Sequence, residues 1–158
     1  MPELNPRQRA WVEVSPAAIR ANARALCQHL GPRTQLMAVV KADGYGHGAE
    51  TVARAAIQGG ATSLGVATLQ EGLELRRAGL EAPVLLLSNL NEPDDLRTCL
   101  HWRLMPTLSS LRDAHLCNAL AADSGRCFDV QLKIDTGMAR LGCSLSEGHQ
   151  TAAALQSL

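Results

Sequence analysis

The sequence predicts an α/β protein built on a parallel sheet, and two patterns carry that prediction. Five short apolar runs, QLMAVVKAD (35–43), SLGVAT (63–68), PVLLLS (83–88), RLMPTLS (103–109) and FDVQLKID (128–135), begin 20 to 28 residues apart. A helix-like segment follows each one. Continuous apolar strands alternating with helices indicate parallel βα units whose strands are covered by their crossovers. No linker, low-complexity tract or charge block interrupts the 158 residues, so one domain is expected.

Each element has a local reason. WVEVS (11–15) alternates and reads as an extra strand ahead of the first helix. Ser15-Pro16 is an N-cap followed by proline at the first helical position. Ile19, Ala23, Leu26 and Leu30 then form an apolar stripe, which Gly31-Pro32 stops. Thr68-x-x-Glu71 is a capping box opening a helix through Ala78, with Gly79 as its stop. Ser144-x-x-Glu147 is a second capping box near the end of the chain. Spacing alone favours a flavodoxin-like open sheet of five strands, because a (β/α)₈ barrel needs eight strands and typically ~250 residues. Both folds place function at the C-terminal ends of their strands.

Composition excludes several classes. Hydrophobic residues are 46% and charged residues 19%, ordinary for a globular protein and unlike a disordered one. The formal net charge is +0 and aromatics are 3%, so neither a basic stripe nor stacking platforms for nucleic acid are present. No apolar run approaches the ~20 residues of a membrane helix. The polar start MPELNPRQRAW has no apolar core and does not read as a signal peptide. Cys27, Cys99, Cys117, Cys127 and Cys143 are scattered, which suits reduced thiols in a cytosolic protein. No His/Cys/Asp cluster has metal-ligand spacing, and no Gly-x-Ser-x-Gly or phosphate-loop element occurs. His29, His101, His115 and His149 fall on helices or their edges, and the methionines read as packing.

The first strand ends in VVKADGYGHG (39–48), which places Lys41 beside low-dielectric strand ends. An amine so placed loses hydration and serves as a nucleophile or Schiff-base former. The glycines let backbone approach a ligand closely, and Tyr45, the one tyrosine, can donate its hydroxyl to an anion. The plain alternative is a Gly-rich turn whose lysine reaches out to water. The fifth strand ends in KIDTGMARLG (133–142). Lys133 and Asp135 share one strand face and need partners there. Arg140 could supply one, or bind a ligand carboxylate or phenolate. The plain alternative here is a structural ion-pair network.

Together these two segments resemble the bacterial alanine racemases. VVKADGYGHG resembles the family's pyridoxal-phosphate lysine motif, and KIDTGMARLG its second signature, in the right order and at a fitting separation. Between them, SLGVATLQEGLELRRAGLEAPVLLLS resembles the second and third βα units, so the likeness runs from about Trp11 onward. The resemblance implies an incomplete (β/α)₈ TIM barrel of about five βα units, with residues 1–158 as a partial pyridoxal 5′-phosphate-binding domain. It replaces the open sheet favoured by spacing. It further implies a mostly β C-terminal domain, absent here, and a head-to-tail homodimer. Lys41 would bond covalently to the cofactor and act as one of two bases. Tyr45 would bond the cofactor phosphate. Arg140 would face the cofactor's phenolic oxygen and the substrate carboxylate. Lys133 matches a position that is carbamylated in many members and orients the arginine, with Asp135 and Met138 supporting the same loop.

The implied reaction is interconversion of L-alanine and D-alanine, supplying D-alanine for peptidoglycan in the cytoplasm. The family's second base is a tyrosine of the C-terminal domain, contributed by the partner subunit. Tyr45 already has another role, so the chain alone is expected to have little or no racemase activity. Three other readings compete. One is another barrel enzyme with the same cofactor, a serine racemase or a D-amino-acid aldolase or dehydratase. Another is a single-barrel pyridoxal-phosphate homeostasis protein without catalysis. The third is a flavodoxin-like binding domain without lysine chemistry.

Overall fold

The computed structural model describes residues 10–157. Its five parallel strands are β1 (Met37–Val39), β2 (Ser63–Val66), β3 (Val84–Asn89), β4 (Leu104–Leu108) and β5 (Gln131–Leu132). They are hydrogen-bonded in sequential order, β1 to β5. Around them run α1 (Pro16–Leu30), the short left-handed turn α2 (Lys41–Gly46), α3 (Ala49–Gln58), α4 (Leu69–Arg77), α5 (Pro93–Trp102), α6 (Leu111–Ser124) and α7 (Leu145–Leu155). A flavodoxin-like sheet reverses its winding beside the first strand. Here the chain winds one way throughout, as the wall of a barrel does. The observed order overturns the doubly wound sheet and matches an incomplete (β/α)₈ barrel. Nine residues of the polar N-terminal stretch, 1–9, lie outside the described part.

The register sorts the strand residues into two faces. Ala38, Leu64, Val84 and Leu104 form one row across β1 to β4. With Val40, Val66 and Leu86 they join Ala53, Leu75, Leu80 and Cys99 in the main core, between sheet and helices. Removing each such Leu or Val from water stabilises the fold by about 1.5–3 kcal/mol. The alternate row is Val39, Gly65, Leu85 and Met105. It faces the barrel interior and is unevenly covered: Leu85 is buried, Met105 half-buried and Val39 39% exposed. Gly65 leaves room for Met37 and Val39, whose Sδ and Cγ2 would lie 3.3 and 3.5 Å from an added Cβ.

The expected caps form. Ser15 Oγ accepts from Ala18 N at 3.3 Å, and both capping boxes are closed reciprocally. Three expectations fail. Residues 11–15 are not a strand: Trp11 and Val12 are exposed, and Ser15 is used to cap α1. Alternation had suggested a strand, but no neighbouring strand pairs with it among the described residues. The α1 stripe is misplaced too, since Leu26 and Leu30 are exposed. Contact instead runs along Ala23 and Cys27, small enough for the close approach of α3 and its trailing Gly59-Gly60. The fifth run yields only Gln131–Leu132 as strand. Cys99 and Cys117 are buried, and burial pushes their thiols up to about 12 and about 11, with Asp95 and Asp113 adding to the respective shifts.

Gly59 has φ −83°, which alanine also adopts, yet a Cβ there would lie 2.5 Å from Arg20 O and 2.6 Å from Ala23 Cβ. Gly59→Ala therefore isolates the α1–α3 contact. It is expected to cost about 1–3 kcal/mol, the range for overpacking, read as a lower urea midpoint with little change in slope. An unchanged midpoint would mean that α1 does not contribute its packing to the cooperative fold.

Candidate functional site

The end of β1 is built from backbone upward. Val40 is fully buried, and its N–H donates to Gly65 O at 2.8 Å, extending the pairing with β2. Lys41 follows and is half-buried. The chain then turns left-handed: Ala42, Asp43, Gly44 and Tyr45 have φ of 51°, 52°, 61° and 55°. Gly44 N–H closes the turn on Val40 O at 2.9 Å. For non-glycine residues this conformation costs about 1–2 kcal/mol each, so other contacts must hold it. The Asp43 carboxylate accepts from Ala49 N at 2.7 Å, capping α3, and Asp43 O accepts from Gly48 N at 2.9 Å. His47 Nδ1 lies 3.1 Å from both Gly44 O and Tyr45 O; two carbonyl acceptors require the proton on Nδ1. Gly44 is buried, and a Cβ there would lie 2.9 Å from Val52 Cγ2 as well as facing a positive φ. Lys41 and Tyr45 are four residues apart across one turn, so their side chains leave the same side of it.

The turn is also tied to the neighbouring loop. Glu71 accepts from Ala42 N at 2.7 Å through Oε1, and through Oε2 from Ala67 N at 2.7 Å and Thr68 N at 3.1 Å. Reading the sequence found Glu71 only as half of a capping box. The second tie spans 29 residues and has no signature in local spacing.

At the far edge of the sheet, Lys133 N–H donates to Leu108 O at 2.8 Å, carrying the β4–β5 pairing one residue further. The chain folds back so that Asp135 N and Cys143 N donate to Cys143 O and Lys133 O at 2.9 and 3.0 Å. Arg140 is one partner the sequence offers Asp135, the other reading being that it binds a ligand anion. The Asp135 carboxylate instead accepts from Gly137 N at 3.0 Å and Ala139 N at 3.1 Å. These backbone donors, Gly137 first, hold its carboxyl below the ordinary value. A short loop returning on itself aims several N–H groups at one acceptor, which satisfies Asp135 locally. Met138 is 75% exposed and Arg140 is exposed, so Met138 is not core packing.

Lys41 and Lys133 are the only two lysines among the 15 Lys and Arg residues. Both stand where a strand ends, on the edge strands β1 and β5. The ion pairs among the described residues, Glu50–Arg54 and Asp94–Arg97, lie on helix surfaces. The side chains of Lys41, Tyr45, Lys133 and Arg140 make no hydrogen bond or ion pair among the described residues. The cleft at the opposite end of the sheet is different. There the Arg76 guanidinium bonds Leu80 O, Ala82 O, Trp102 O and Arg103 O at 2.6 to 2.9 Å, and burial lowers its pKa. That arginine ties loops together. Among the described residues no His/Cys/Asp/Glu cluster is placed to hold a metal, and no helix is long and apolar enough to cross a membrane.

One-way βα winding and a lysine at the first strand's C-terminal end define a barrel-type α/β protein with an amine at its mouth. Comparison with known proteins gives the family. The profile described as alanine racemase, N-terminal domain, matches residues 14–158. The chain is 63% identical over 143 residues to the alanine racemase of Prochlorococcus marinus, covering 90% of this chain and 37% of that one. It is 51% identical over 152 residues to that of Synechocystis, covering 96% and 41%. The solved alanine racemase from E. faecalis superposes with a TM-score of 0.81 at 38% identity, over 91% of this chain and 39% of that chain. The protein therefore belongs to the alanine racemase N-terminal domain family. It spans about two fifths of the length of the curated relatives it matches.

The depressed carboxyl of Asp135 makes its loop pH-dependent. Its contribution to loop order is complete above the ordinary aspartate value of ~3.9 and is lost as pH falls through the lower folded value. Exchange protection at the Gly137 and Ala139 amides, corrected for intrinsic rates, is expected to fall over that acid range. Asp135→Ala should remove it at every pH. Protection that ignores both pH and the substitution would show that the carboxylate does not hold the loop.

Proposed function

We propose that this chain is the cofactor-holding part of an alanine racemase, which interconverts L- and D-alanine with pyridoxal 5′-phosphate. The observation that carries the reading is Lys41: half-buried, at the C-terminal end of β1, on the side of a left-handed turn it shares with Tyr45. The donor set suits the cofactor, since an amine, a hydroxyl and a guanidinium without partners among the described residues can meet an aldehyde, a phosphate and a carboxylate. When bound, pyridoxal phosphate supplies an electron sink that makes a substrate Cα–H acidic.

The chain's own groups then divide the work. Lys41 Nζ would hold the cofactor and would take up or return a proton on one face of the substrate carbon. Tyr45 Oη would donate to a phosphate oxygen. Arg140, with Lys133 orienting it, would receive the substrate carboxylate through paired N–H donors. In an eight-stranded barrel the first and fifth strands oppose one another across the mouth. The two groups would thus meet a ligand from opposite sides. Racemisation needs a second base on the other face. The family resemblance assigns that base to a tyrosine from a partner subunit in a homodimer, with the enzyme in the cytoplasm supplying D-alanine for peptidoglycan.

Reductive trapping tests this reading. The purified chain is mixed with pyridoxal phosphate, reduced with borohydride and mapped by mass spectrometry, beside Lys41→Ala. A single adduct on Lys41, absent from the variant, is expected. With only two lysines the readout is simple. An adduct confined to Lys133 or the α-amino group, or none at all, would overturn the assignment.

A further inference from the structure

Glu71 does more than cap α4. A capping-box glutamate needs one oxygen, returned to the N-cap N–H. The chain's other box shows that local use. There the Glu147 carboxylate bonds Ser144 N at 2.9 Å and Ser144 Oγ at 2.7 Å, all within three residues. Glu71 closes its box with Oε2 alone, on Thr68 N and Ala67 N. Oε1 is left free and reaches Ala42 N at 2.7 Å, 29 residues upstream.

Ala42 N is the amide immediately after Lys41, at the start of the left-handed turn. The first amides of such a turn have no partner within it. Whatever accepts that N–H fixes the plane of the Lys41–Ala42 peptide, and with it the direction in which the Lys41 side chain leaves the strand. A charged acceptor makes the stronger bond. The tie continues sideways, because Ala67, whose N–H binds Glu71, also accepts from Ser88 Oγ on β3. The peptide after the lysine is thereby tied through the loop after β2 to β3.

We propose that Glu71 is a positioning residue for Lys41: its carboxylate locks the Lys41–Ala42 peptide in the left-handed turn and so aims the amine at the cofactor's aldehyde carbon. The aiming role rests on the reading of Lys41 given above; the locking of the turn does not.

The experiment compares Glu71→Gln, Glu71→Ala and Thr68→Ala in the full chain. Thr68→Ala removes the other half of the capping box, the hydroxyl that accepts from Glu71 N at 3.2 Å, and leaves the Ala42 contact in place. It therefore matches the capping loss without touching the turn. Two quantities are read: amide exchange at Ala42 without cofactor, and the rate at which pyridoxal phosphate followed by borohydride labels Lys41. Both Glu71 variants are expected to speed Ala42 exchange and to slow Lys41 labelling by about tenfold or more, the scale for a nucleophile held out of line. Thr68→Ala should leave both near the parent values at a comparable loss of melting temperature. Equal exchange and equal labelling in Glu71→Ala and Thr68→Ala would overturn the proposal and reduce Glu71 to a cap. A parent chain whose Lys41 takes no label would sink the cofactor reading instead, and exchange at Ala42 would still decide whether Glu71 locks the turn.

Discussion

The rest of the structure depends on burying one face of the sheet. Ala38, Leu64, Val84 and Leu104 lie in register across four strands, with Val40, Val66 and Leu86 beside them. Helices cover that row and exclude water from it. Because the side-chain period in a strand is two, committing one row to the helices commits the alternate row to the other side. Val40 is pinned into the core at 0% exposure, and Lys41, the next residue, must then point away from the helices. The chemistry of the site is placed by the packing of its neighbour. A slip of one residue would bury the lysine in the apolar layer and expose the valine.

Strain enters where that strand ends. Ala42, Asp43, Gly44 and Tyr45 adopt left-handed backbone in succession, three of them non-glycine. Such a segment persists only where its surroundings over-determine it. Here the restraints come from every direction. Val40 O closes the turn, Asp43 joins it to α3, His47 bonds its carbonyls, and Glu71 links it to the next loop. A turn held this way has little conformational freedom left to lose on binding, which suits the site proposed for it.

The two edges of the sheet are organised differently. At β1 the fixed turn leaves Lys41 half-buried. At β5 the chain folds back through Asp135 and Cys143 and leaves Arg140 and Met138 in solvent. The Asp135 carboxylate is spent on the backbone of its own loop, and Arg140 makes no ion pair with it.

Much of this was legible in the sequence. The strand runs, both capping boxes and the first helix boundaries followed from local chemistry, because caps and apolar runs act within a few residues. The lysine was conspicuous for its position at a strand end beside a glycine cluster. The winding of the sheet was not legible in spacing alone, which fits an open sheet or a barrel wall. The motif resemblance pointed to the barrel, and the sequential strand order bears that out. The α1 stripe was misread because periodicity shows which residues could face the core; the close approach of Gly59 decided which ones do. Spacing left Arg140 either a partner for Asp135 or a ligand group, and the loop geometry gave Asp135 backbone donors instead. Glu71 looked like a cap until the fold brought Ala42 to its second oxygen. By itself the sequence determined the local elements and singled out Lys41 at the end of a strand. Only the tertiary structure decided which carboxylate serves which backbone amide, because hydrogen bonds between residues 29 apart depend on how strands pair and not on spacing along the chain.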